Sequence, residues 1–171
     1  MARSLPIKRS AGLLFVSGRK VLLLRRAKGC NNAGLWGIPG GRRDPGETVV
    51  DAAWREASEE LHRVPTAEIV GRLQLRRDRG RKRYDIFVCQ TGKRARARFK
   101  PRLNHEHDRY QWVSMDWCLT HLDSLHPVIA ELLRDPRVSA ALDSQLHGRS
   151  GFTRREHHAS GTSRIALRPA A

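Results

Sequence analysis

Two apolar runs open the chain, AGLLFVS over residues 11–17 and VLLLRRA over 21–27, meeting at the turn signal Ser17-Gly18-Arg19-Lys20. Short runs around such a turn predict the two strands of a hairpin, one of them well buried. KGCNNAGL (28–35) is polar and glycine-containing and reads as a loop, and Trp36 to Gly41 as a short extended piece ending in a glycine pair. Pro45-Gly46 turns the chain, and Thr48 is a sound N-cap for a helix over 49–62. AEIVGRLQL (67–75), RYDIFVCQ (83–90) and RARARFK (94–100) are predicted as strands of a meander turned by DRGRK and TGK, with RYQWVS (109–114) a further strand. MDWCLTHL (115–122) and HPVIAELLRD (126–135) read as closing helices, Pro127 sitting in a first turn where its missing N–H costs nothing. From Ser144 onward periodicity gives way to Ser, Gly, His and Arg, the composition of a basic tail without a packed core. The expected organisation is one domain over 1–143 and a tail over 144–171. Its order of elements predicts an α/β fold, a mixed sheet with helices on both faces.

The helix carries the most specific pattern. At about 100° per residue, with Val50 at zero, Ala53, Trp54, Ala57 and Leu61 gather within roughly 60° of that point. Glu56, Glu60 and Glu59 fall at roughly −120°, −80° and 180° by the same arithmetic. The expectation is an apolar stripe on the core and three carboxylates sharing a face turned away from it. Like charges three and four residues apart repel, and crowding raises the cost of ionising them all. A bound hard cation, Mg²⁺ or Mn²⁺, would remove that cost. A solvated acidic helix face would equally explain EASEE taken alone.

Composition bounds the partners. The 171 residues carry a net charge of +16, and thirteen Lys/Arg lie between Arg72 and Arg102 against only Asp78 and Asp85. Such a field favours polyphosphates or nonspecific RNA or DNA binding through 72–102, although solvated basic strands would produce the same count. Three cysteines, Cys30, Cys89 and Cys118, contain no CxxC pair and argue against a disulfide framework. The run AGLLFV is too short for a signal h-region or a membrane span, so a cytoplasmic, membrane-free location is expected.

Gly41, Glu47, Arg55, Glu56, Glu59 and Glu60 stand at the offsets of the signature of the Nudix hydrolases, which this segment resembles; Ala57 fits it loosely, and His62 and Arg63 depart from it. The likeness extends over roughly residues 8 to 134, through AGLLFV, KVLLLRR, LWGIPGG and EHDRYQWVS. His62 would occupy a left-handed position where glycine is usual, and Val64 would replace the missing apolar contact. The resemblance implies an α/β/α sandwich and Mg²⁺-dependent hydrolysis of a nucleoside diphosphate linked to another group. It also implies a metal set of Glu56, Glu59, Glu60 and the Gly40 carbonyl, with Gly41, Glu47 and Arg55 holding the loop against the helix.

Candidate catalytic groups are Glu56 and Glu59, joined by Glu106 as a further ligand or base, since LNHEHDRYQW lies before a strand from which a loop can reach the metal face. Flanking His105, His107 and Arg109 are expected to favour its ionised form. Trp36 and Arg42 are candidate substrate contacts; Trp36 and Trp112 could each stack a base or simply fill the core. NHEHD lacks the helical spacing of zinc hydrolases. Two other readings stand beside the nucleotide hydrolase: an RNA 5′-pyrophosphohydrolase, and a catalytically idle nucleic-acid-binding module on the same fold.

Overall fold

The computed structural model describes residues 6–146. Strands β1 (Lys8–Ser17) and β2 (Lys20–Arg26) form the expected hairpin, paired at Val16↔Val21 and Ser17↔Lys20 beside its turn. Further out the two strands part. β4 (Gly40–Arg42) pairs with β1 at Ser10, Ala11 and Gly12, while β3 (Trp36–Gly37) pairs with β2 at Leu24 and Arg25. The segment from Trp36 to Arg42 therefore occupies the fork of the hairpin. On its other side β1 runs parallel to β6 (Lys82–Thr91), which pairs antiparallel with β5 (Ala67–Arg77). β7 (His107–Ser114) pairs antiparallel with β2 and completes a mixed seven-stranded sheet.

Alternation along β1 and β6 divides the core in two. Leu14, Val16, Ile86 and Val88 face one side, against Val128, Ile129, Leu132 and Leu133 of α4 (Pro127–Arg134). Leu13, Phe15, Phe87 and Cys89 face the other, against Ala52, Ala53, Ala57 and Leu61 of α1 (Val49–Leu61). Helices cover both faces because β1 and β6 are apolar on both, the signature of an interior strand pair. Thr48 caps α1 by accepting from Asp51 N at 3.2 Å, and His62 ends it in a left-handed conformation at φ +55°. Val64 packs half-buried on the α1 side of the core. α3 (Met115–Thr120), a short 3-10 turn at Leu122–Ser124 and α5 (Pro136–Leu146) complete the described elements. No helix among the described residues is long and apolar enough to cross a membrane.

Two expectations are corrected. RARARFK is not a strand: Lys93–Arg98 forms a helix, α2, with no buried residue. Its period-two pattern is built of Arg and Ala, which are strong helix formers and have no β-branched side chain to reward a pleated sheet. Phe99, just past the helix, packs edge-on to Tyr110 and Trp112 at centroid distances of 5.7 and 6.2 Å, and Arg96 Nη1 donates to the Ser17 carbonyl at 3.0 Å. The second correction concerns the far end, where α5 continues through residues 144–146, three positions into the expected tail. The rest of that tail, 147–171, lies outside the described residues.

Candidate active site

The helix α1 buries a wider and differently centred face than its bulky residues suggest. Ala52, at roughly −160° on the same wheel, is fully enclosed along with Ala53, Ala57 and Leu61. The buried arc is thus centred near −70°, and Glu60 lies in it with only 4% of its surface exposed. The carboxylates were expected to turn away from the core; Glu60 instead points into it, and Glu56 is half-buried. The wheel was centred on Val50 and left out Ala52, yet alanine is the residue that lets a helix lie close on a sheet.

What receives the glutamates is the fork of the hairpin. Gly40 donates its N–H to Glu60 Oε2 at 2.9 Å. Its φ is +152°, and a Cβ there would drive into the Ala11 carbonyl and the Gly12 Cα, so only glycine fits. A Cβ on Gly41 would overlap the Glu56 carboxyl group. The glycine pair therefore brings backbone to within contact of two carboxylates.

Arg55 ties this corner together. It donates Nε to Glu47 Oε1 at 2.9 Å, Nη2 to the Arg42 carbonyl at 3.0 Å, and Nη1 to Glu56 Oε1 at 3.0 Å. Asp44 N also donates to Glu47, at 3.0 Å, and Arg55 with this bond holds the Glu47 carboxyl below its ordinary range. Glu59 lies on the rim, mostly exposed, with its carboxylate turned to Arg55 Nη1 at 3.3 Å; it does not line the cavity.

The cavity, of about 450 Å³, is lined by Gly40, Gly41, Arg42, Glu56, Glu60 and Glu106 on one side. Ser10, Asn32, Tyr84, Asp85 and His126 lie around the remainder. Burial, followed by the neighbouring charges of Glu56 and Glu106, pushes Glu60 up to about 8 despite its bond from Gly40. Burial also raises Glu56, against the pull of Arg55. Glu106 comes from the loop before β7, and its Oε2 accepts from Arg26 Nη1 at 2.7 Å. The expected help from its histidine and arginine neighbours is corrected here: Arg26 is the cation in contact. His107 is buried and pushed down to about 4, mainly by desolvation, so it is neutral near pH 7.

Trp36 and Trp112 do not line this cavity. Trp36 stands edge-on to Trp117 at 6.4 Å, and Trp112 packs on Phe99. Of the two uses left open for them, packing is the one this site shows; Trp36 lines a separate, shallower pocket with Asp108, Arg109 and Tyr110. Cys89 and Cys118 are buried thiols pushed up to about 12 by desolvation, which leaves them unreactive.

Sequence reasoning missed Arg26, Asp85 and His126. Asp85 had a signal, for it shares the parity of Phe87 and Cys89 in a strand apolar on both faces and must therefore be enclosed. It is fully buried, accepting from Arg72 at 2.6 Å and Gln74 at 2.8 Å. His126 caps α4 by accepting from Val128 N at 3.3 Å through Nδ1. Nothing in its local sequence announces that Asn32, in a left-handed turn at φ +59°, meets its other nitrogen at 3.2 Å.

The match to the NUDIX domain family model covers residues 6–135 and takes in every element of this corner. The chain belongs to the Nudix family. That makes it an enzyme of the class acting on pyrophosphate bonds. Among solved structures, the MutT protein of Methanosarcina mazei Go1 is similar at 25% identity with TM-score 0.61, over 81% of this chain and 99% of that one. The Nudix hydrolase RenU of M. smegmatis is similar at 24% identity and TM-score 0.62, over 90% and 94%. The C. elegans Ap4A hydrolase in a binary complex is similar at 23% identity and TM-score 0.60, over 81% and 99%. The last two share the fold. A comparison with curated proteins returns no match. The Nudix fold of this chain is the α/β arrangement of a mixed sheet between helices.

A divalent cation fits this Nudix corner on the chemistry of its donors. Among the described residues no group of three or more His, Cys, Asp or Glu is already spaced as a metal centre. Even so, Glu60 is buried and Glu56 half-buried, and both are raised by burial and by neighbouring carboxylates, Glu60 by Glu56 and Glu106, and Glu56 by Glu59 and Glu106. Such a pair is relieved by a hard cation more than by any other ligand.

Proposed function

We propose that this Nudix protein hydrolyses a phosphoric anhydride bond in a nucleoside diphosphate linked to another moiety, using Mg²⁺ with Mn²⁺ as a substitute. The observation that carries the reading is the buried Glu60 and half-buried Glu56, crowded with Glu106 and set against the glycine pair in a cavity of about 450 Å³. That size suits a nucleotide-sized ligand. Glu56, Glu60 and the Gly40 carbonyl would hold the metal, with Glu59 swinging from Arg55 to join them. When bound, the metal supplies charge neutralisation at phosphate oxygens and acidifies a water.

The chain's own residues do the rest. Loss of the Glu60 proton completes the negative set, and the Gly40 N–H keeps that carboxylate aimed while it is charged. Arg55 fixes Glu56 and Glu47 together, so the helix and the glycine loop cannot drift apart. Glu106, steered by Arg26, takes the proton of the attacking water as general base. Arg42, exposed at the rim, offers a cation to the phosphate of the leaving group.

An idle binding module is disfavoured by the same pair, because a buried carboxyl group that ionises only with a cation beside it costs stability and gives such a module nothing. The test is release of phosphate or pyrophosphate across a nucleotide panel with Mg²⁺ and Mn²⁺, and with 5′-triphosphorylated RNA. Turnover of free nucleotides supports the reading. Turnover of the RNA alone would replace it with the RNA 5′-pyrophosphohydrolase, and no turnover of either, with intact folding, would sink both.

A further inference from the structure

The thirteen cations between Arg72 and Arg102 do not form one patch, and strand register decides where the five on β5 and β6 go. On β5 and β6, Leu73, Leu75, Ile86 and Val88 face α4, so Arg77 and Lys82 project on that side. Both are neutralised, Arg77 by Glu131 at 2.8 Å and Lys82 by Asp78 at 2.7 Å. Arg72, Arg76 and Arg83 share parity with Phe87 and so lie on the α1 side, where Arg72 sits over the Phe87 ring at 5.5 Å. The cations of α2 are elsewhere again, beyond the end of β6 at Thr91, about 26 Å from Arg83 at the strand rise.

Register then adds two arginines from outside the basic segment. Arg83 pairs with Arg76 on one side and with Arg9 on the other. Arg43 N in turn donates to the Arg9 carbonyl at 3.0 Å. Four neighbouring segments thus place Arg43, Arg9, Arg83 and Arg76 in one row across the sheet on the α1 side, about 14 Å long at the usual strand spacing. The next row holds Gly41, Ala11 and Asp85, which line the carboxylate cavity. Asp85 is the acid of this neighbourhood, engaged by Arg72 at 2.6 Å and near Arg83 at 3.4 Å. Among the described residues, Arg9, Arg43 and Arg76 have no carboxylate partner; Arg43 gives Nη1 to the Glu47 carbonyl at 2.9 Å and Arg76 gives Nε to Gln74 Oε1 at 3.4 Å, which leaves their remaining Nη groups for a ligand.

We infer that the Arg43–Arg9–Arg83–Arg76 row is a track for the phosphate backbone of single-stranded nucleic acid, leading to the carboxylate cavity. Guanidinium groups present forked donors that match phosphate oxygens, and a line of them at strand spacing meets successive phosphates of one strand. The track is one arginine deep, which suits a single strand better than the two backbones of a duplex. No aromatic side chain stands in the row, so the binding is to phosphate and is indifferent to sequence. This rests on the proposed hydrolase reading only in taking the cavity as the end of the track. Binding without turnover would sink that reading and leave the track standing.

The experiment is fluorescence anisotropy with a short labelled single-stranded RNA, a duplex of the same sequence, and a range of salt concentrations. Wild type is expected to bind the single strand with log affinity falling linearly against log salt, and to bind it more tightly than the duplex. Arg9→Gln/Arg76→Gln should weaken binding about tenfold or more and flatten the slope by about 1.4, two phosphate contacts at roughly 0.7 each. The same variant should hydrolyse a small nucleotide as wild type does, and Arg94→Gln/Arg98→Gln on α2 should bind as wild type. Equal loss in the α2 variant, unchanged binding in the row variant, tighter binding of the duplex, or no binding by wild type at physiological salt would each overturn the track.

Discussion

The carboxylate corner and the basic segment 72–102 are both conspicuous as charge in the sequence, and the fold treats them oppositely. At the corner, Glu56 and Glu60 are four residues apart on one helix and are held against each other and Glu106 in partial burial. In the basic segment, residues as close as Arg76 and Arg77 are sent to opposite faces of the sheet, and the cations of α2 to another end altogether. A helix keeps sequence neighbours at i and i+4 together, whereas a strand separates neighbours by its pleat. A dense run of like charge is therefore evidence of a site only after the element that carries it is known. Cost sharpens the contrast: enclosed like charges raise the free energy of the fold and so call for a ligand, while exposed arginines cost little wherever they lie.

The largest expected effect comes from removing one charge of the corner. Glu60→Gln keeps the bond from Gly40 N and loses the charge, so metal-dependent turnover should fall by orders of magnitude with the circular dichroism spectrum unchanged. Activity within about threefold of wild type, a barrier change under about 0.7 kcal/mol, would refute the role. Gly41→Ala tests the same corner by volume. Its methyl would overlap the Glu56 carboxyl group, so Glu56 must move, and turnover should drop by about 10²-fold with only a modest fall in thermal stability. Wild-type kinetics from the alanine variant would show that Glu56 has no fixed position to lose.

Glu106→Gln is expected to lower kcat by about 10²-fold, the range of acid–base contributions, because the amide oxygen keeps the bond from Arg26 and cannot take a proton. A change in KM alone would make Glu106 a substrate contact.

Much of the fold was legible because its signals are local. The hairpin, α1 with its Thr48 cap, the β5–β6 pair and Pro127 at the start of α4 each follow from periodicity or capping within one segment. RARARFK failed because alternation without burial carries no strand information; the segment has no buried residue to make a period meaningful. The glutamates of the corner were legible as a set, but not their orientation, since Ala52 was left out of the stripe and its burial moves the centre of the buried arc toward Glu60. Arg26 and Asn32 were invisible because they meet Glu106 and His126 across separations of 80 and 94 residues, which no spacing rule encodes. Asp85 could have been found, as an acid at an inward position of an interior strand.

The smallest effect separates the two regions by stability, measured on protein freed of cations with a chelator. Glu60 has its carboxyl raised from 4.5 to about 8 in the folded chain, so between those pH values the folded state holds a proton that the unfolded state has released. Stability contributed by this group is complete below about pH 4.5 and declines as pH rises toward 8. His107, pushed from 6.5 down to about 4, acts with the opposite sign: its contribution is present above 6.5 and is lost as pH falls toward 4. Urea unfolding of wild type should therefore show a midpoint that decreases from pH 6.5 to 8, and Glu60→Gln should abolish that decrease. Adding Mg²⁺ at pH 8 should raise the wild-type midpoint and leave that of Glu60→Gln nearly fixed, because ligand binding stabilises only a chain that retains the site. Replacing Arg94 and Arg98 by glutamine should shift the midpoint hardly at all, since α2 buries nothing. A flat wild-type profile from pH 6.5 to 8 would mean that Glu60 is charged without a cation, and the enclosed repulsion that sets the corner apart from the basic segment would be absent.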